Sequence, residues 1–178
     1  MAGVEGTRVS PSWDLFITIF FIVGIAYGMM LQRERAVVTL VTIYVALVIT
    51  QLLTDPVSQF FVGEKTIQSF FITSKASPFT IQSGLFIGTI VLLSTKSGLS
   101  GESGSGLLSP LEVFAYSVFN TALIATTILS YLPDASRNAI IEQSKMASFL
   151  AHYHTWWLLL PVVAVIFFGW NRRPFLAS

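Results

Sequence analysis

The feature that most constrains this chain is a series of apolar runs, each close to the length that crosses a bilayer. Leu15 to Leu31 reads LFITIFFIVGIAYGMML without a charge, and as a helix it would extend about 25 Å at ~1.5 Å per residue. Val37 to Leu53, Phe79 to Ser94 and Leu111 to Leu132 repeat the pattern, and Trp156 to Trp170 is a shorter fifth run. Backbone amides in hydrocarbon must be satisfied within the protein, so such runs have to be helices. The composition agrees: 53% of the 178 residues are hydrophobic and 11% are charged, and the mean hydropathy is +0.73. A soluble core of this size could not hide that much apolar chain. The expected fold class is therefore all-α: a polytopic membrane helical bundle of four core transmembrane helices plus a short fifth, with two interfacial amphipathic helices.

Between the runs, the polar segments set the organisation. Residues 1–12 read as a flexible N-terminal tail, 13–170 as a single transmembrane domain, and 171–178 as a C-terminal tail. Within the domain, SGLSGESGSG at 97–106 has the composition of a flexible linker. The QRER break at 32–35 leaves room for only a tight turn, which predicts that the first two spans form a helical hairpin. Phe60, Phe61, Ile67, Phe70 and Phe71 recur at helical intervals among polar residues and predict a first interfacial helix, with Gly63 as a break. Asp134 or Ser136 can cap the second, in which Met146, Phe149, Leu150 and Tyr153 share a stripe. The run after Trp13 lacks a basic n-region and a cleavage pattern, so it reads as a retained span. Arg33 and Arg35 predict a cytoplasmic first turn; with the N-terminus outside, Lys96, Arg172 and Arg173 also fall inside.

Few residues offer chemistry. The formal net charge of +1 provides no clustered basic face for nucleic acid. Cysteine is absent, which removes disulfides and thiolate-ligated metals. No G-x-S-x-G elbow occurs, and His152 and His154 point to different sides of a helix, so neither a nucleophile nor a metal site is expected. Ionisable groups are missing from the middle of every span, which argues against ion-coupled transport. Glu142 and Lys145 read as a surface pair. Gly24 with Gly28, and Gly84 with Gly88, each form a G-x-x-x-G that lets another helix approach closely, within the chain or between chains. Asn120 sits among Tyr116, Ser117, Thr121 and Thr127 on one face of the fourth span, which should look inward; a hydrogen-bonded seam explains it more simply than a bound substrate. The expected partners are the lipid bilayer and other membrane proteins or a second copy, with no enzyme activity and no cofactor.

The order of features resembles the colicin V production protein family, the CvpA-like bacterial inner-membrane proteins. Trp13 and Asp14 open the first span, Gly24 and Gly28 lie toward its end, and the short basic QRER turn follows. Later, IIEQSKMASFLAHYHTWWLLLPVV resembles the segment where that family places a serine before an amphipathic helix; Ser144 would be that serine. Tyr27 and Gly28 stand where the family commonly has an arginine and a glycine, and Ser109 to Glu112 replace its glycine-rich basic motif. The resemblance implies four core helices in a multi-pass inner-membrane protein and a non-enzymatic scaffold or envelope-homeostasis role. The residues alone are equally compatible with a small accessory subunit of a larger respiratory, photosynthetic or secretion complex. A passive channel or transporter lined by Tyr116, Asn120 and Thr127 is the third reading.

Overall fold

The computed structural model describes residues 12–30, 33–62, 77–96 and 109–170, all of it helices and short turns. Among the described residues seven helices follow in order: α1 (Trp13–Met30), α2 (Arg33–Val62), α3 (Pro78–Lys96), α4 (Pro110–Tyr131), α5 (Asp134–Gln143), α6 (Lys145–His152) and α7 (His154–Trp170). Four of them, α1 to α4, are long and apolar enough to cross a membrane. The α6–α7 pair, bent by 66° at Tyr153, makes a fifth if it is taken as one broken span. The protein is thus an all-α bundle with apolar helices of membrane-spanning length.

Local chemistry sets the ends. Pro110 opens α4 at a position where its missing N–H is no loss, and the Ser109 amide donates to Glu112 Oε2 at 3.1 Å, half of a capping box. Leu132 leaves the helix in extended backbone before Pro133, as the residue preceding a proline should. Pro133, rather than Asp134 or Ser136, is the N-cap of α5; its carbonyl accepts from the Arg137 amide at 2.9 Å. Asp134 instead lies inside the helix and pairs with Arg137 at 2.7 Å.

Three expectations change. α2 begins at Arg33 and continues through Pro56 to Val62, so Phe60 and Phe61 end a long helix rather than start a separate interfacial one. Thr54 Oγ1 donates to the Thr50 carbonyl and Ser58 Oγ to the Asp55 carbonyl, supplying hydroxyl donors in the turns around a proline that has none. Ile67, Phe70, Phe71 and Gly63 lie outside the described residues. The second amphipathic stretch is two helices, because Ser144 adopts φ −133° and ψ 119° and divides α5 from α6. Glu142 and Lys145 therefore flank a break instead of sharing a helical face.

The third change concerns pairing. α1 packs chiefly on α4, with α6 next, and has at most marginal contact with α2 among the described residues; α2 pairs with α3. A tight connection restrains only the ends of two helices, and the faces decide the partners. α4 is the hub, packed by α1, α2 and α7. Its polar side chains do look inward, but toward different neighbours. Leu40, Ile43 and Ala46 of α2, Phe86 of α3 and Leu123 of α4 make the apolar centre.

Candidate functional site

The first polar construction ties the start of the chain to its far half. Ser144 is the N-cap of α6, its Oγ accepting from the Ala147 amide at 3.0 Å. The same hydroxyl donates to Asp14 Oδ1 at 2.6 Å, and the Met146 amide donates to that oxygen at 3.0 Å. Two of the unpaired amides that open any helix are thereby satisfied, one by a carboxylate on another helix. A negative charge here also complements the helix dipole. Ser144 is 1% exposed and Asp14 half-buried, so this is a partly buried fastening that holds α1 to α6. A lone carboxylate beginning an apolar helix was the signal that a partner existed; its identity, 130 positions away, was not.

The two glycine pairs have different fates. A Cβ built on Gly24 would lie 2.5 Å from Thr121 Oγ1, and one on Gly28 would overlap Ser117. This pair is spent inside the chain: the i, i+4 glycines of α1 accept the i, i+4 Thr121 and Ser117 of α4 running the opposite way. Ser117 Oγ and Thr121 Oγ1 each donate to the carbonyl four residues earlier, at 2.7 and 2.8 Å, so both hydroxyls are satisfied within α4. Around Gly84 and Gly88, by contrast, none of the described residues approaches a built Cβ within 4 Å. Together with Ile49, Leu85 and Leu92 they line an open apolar hollow of about 420 Å³ on the outside of the α2–α3 pair.

Because α1 stands away from α3, a larger cleft opens between them, floored by α2 and α4. Its volume is about 940 Å³. The α3 and α4 linings grade from polar to apolar in one direction, while α2 stays polar through Thr42. Arg35 and Thr39 of α2, Ser94 and Thr95 of α3, Ser117 and Asn120 of α4 and Tyr27 of α1 occupy one end; Phe20 and Val23, Ile87 and Val91, and Ile124 and Ile128 occupy the other. Asn120 Nδ2 donates to the Ala36 carbonyl at 3.0 Å, which forms the expected seam with α2. Its Oδ1 is buried without a partner among the described residues.

Of the other residues singled out by sequence, Arg35 is exposed at the polar mouth. Arg33 starts α2, and Arg172 and Arg173 lie outside the described residues. Tyr116 packs its ring edge-on to Phe168 of α7 at 5.8 Å, while Ser117 and Thr121 meet α1 and Asn120 meets α2. The polar face of α4 is thus divided among three neighbours. Tyr44 Oη donates to the Leu158 carbonyl at 2.5 Å, in the α7 turn that Pro161 deprives of an amide. Set against known proteins, the chain matches no family profile, and neither curated proteins nor solved structures yield a significant match.

Proposed function

We propose that this chain is a non-enzymatic membrane scaffold, of the CvpA-like kind its sequence resembles, working in a bacterial inner membrane by docking a helix of another protein or of a second copy. The observation that carries this reading is the contrast between its glycine pairs. Gly24 and Gly28 are covered by the chain's own α4, whereas Gly84 and Gly88 present the same close-approach spacing with none of the described residues on it. Without a hydrophobic force between helices in lipid, such small-residue faces are where backbones approach and dispersion accumulates. The meeting of Asp14 with Ser144, the acidic residue and the serine on which the resemblance rests, supports the kinship.

The test is extraction from the native membrane in mild detergent, followed by the mass and composition of the particle. Gly84→Leu with Gly88→Leu is expected to strip the companion chain while leaving thermal unfolding unchanged, because no neighbour in the chain is displaced. A particle of unchanged mass in that variant would remove the α3 face as the docking surface. If the companions are several larger chains, the protein is instead an accessory subunit of their complex; a second copy alone supports an autonomous scaffold.

A further inference from the structure

The α1–α3 cleft is separate from the glycine face, and its chemistry is that of an amphiphile. A partner helix buried in lipid would be apolar along its length, yet Arg35, Thr39 and Thr42 of α2 line this cleft, and its α3 and α4 walls turn from polar side chains to branched aliphatics in the same sense. Asn120 reaches the Ala36 carbonyl, so it lies level with the residue after Arg35, at the polar end. From Ser117 to Ile128 the α4 wall runs about 16 Å at ~1.5 Å per residue, the length of one acyl chain's path through half of a hydrocarbon core of about 30 Å. Arg35 lines the mouth, Lys96 follows the lining residue Thr95, and no described carboxylate lines the cleft. Asn120 Oδ1, on a side chain only 8% exposed, is an acceptor without a donor among the described residues.

We propose that the cleft binds one anionic glycerophospholipid. Its phosphate sits at Arg35, a headgroup hydroxyl donates to Asn120 Oδ1, and one acyl chain lies along Ile87, Val91, Ile124 and Ile128. The lipid fills the space that α1 leaves by packing on α4, and it joins α1 to α3 through hydrocarbon instead of side chains.

Native mass spectrometry of the full chain in mild detergent, titrated separately with phosphatidylglycerol and phosphatidylcholine, tests this. One phosphatidylglycerol per chain is expected to be retained about five-fold more strongly than phosphatidylcholine, corresponding to ~1 kcal/mol per interfacial cation. Arg35→Gln should erase that preference, and Val91→Trp, which fills the apolar wall from an exposed position, should expel both lipids without lowering the unfolding temperature. A photo-crosslinker at position 91 in native membranes should capture lipid. Equal or absent retention of the two lipids, a preference that survives Arg35→Gln, undiminished binding in Val91→Trp, or a polypeptide captured at position 91 would each overturn the proposal.

Discussion

Ser144 shows how much a single side chain can do in a protein with so few polar contacts. Its hydroxyl accepts from α6 and donates to Asp14 at once, so Ser144→Ala removes a helix cap and a tie between distant parts together. The cap alone is worth about 1 kcal/mol. Thermal unfolding in detergent should show that loss, and Asp14→Ala should destabilise less in the Ser144→Ala background than in the wild type. Strictly additive effects would mean that the two residues act apart. The sequence made Asp14 and Ser144 visible as points of resemblance. It did not reveal their contact, because nothing in local spacing reports a hydrogen bond between positions so far apart.

Helix existence was legible; helix partnership was not. The spans could be read because hydrocarbon imposes length and apolarity on each one independently. Pairing depends on complementary surfaces, and the Gly24–Gly28 match to Thr121 and Ser117 prevailed over the short turn that joins α1 to α2. Gly28→Ile should therefore cost about 1–3 kcal/mol by overpacking, measured by unfolding in micelles. Gly28→Ala should be milder, and adding Ser117→Gly should recover much of its loss. Failure of that rescue would show that Gly28 matters for something other than the α4 contact. The division of α5 from α6 was also hidden, since the stripe from Met146 to Tyr153 lies wholly beyond Ser144 and the break depends on the backbone at Ser144. The cleft was invisible for a related reason: it is defined by which helices do not touch.

For the whole molecule, the antiparallel run of α1 along α4 and the shared cleft mouth place Arg35, Thr95 and the start of α4 at one end of the bundle. The fastening of Asp14 to Ser144 places the start of α1 and the α5–α6 junction at the other. Lacking native cysteines, the chain accepts single-cysteine reporters on a clean background. Lys96→Cys and Ser109→Cys should react from one side of the membrane, and Ser12→Cys and Ser77→Cys from the other. Labelling of residues 12 and 96 from the same side would refute the arrangement of spans.

The fastening between Asp14 and the head of α6 also bears on the order of assembly. A ribosome releases α1 well before its principal partners: α4 and α6 begin 80 and 115 residues after α1 ends. α1 must therefore remain unattached while α2 and α3 pair, and it locks in place only when Ser144 emerges. Chains interrupted before that point would hold α1 loose in the bilayer, its glycine face bare and open to capture by the wrong helix.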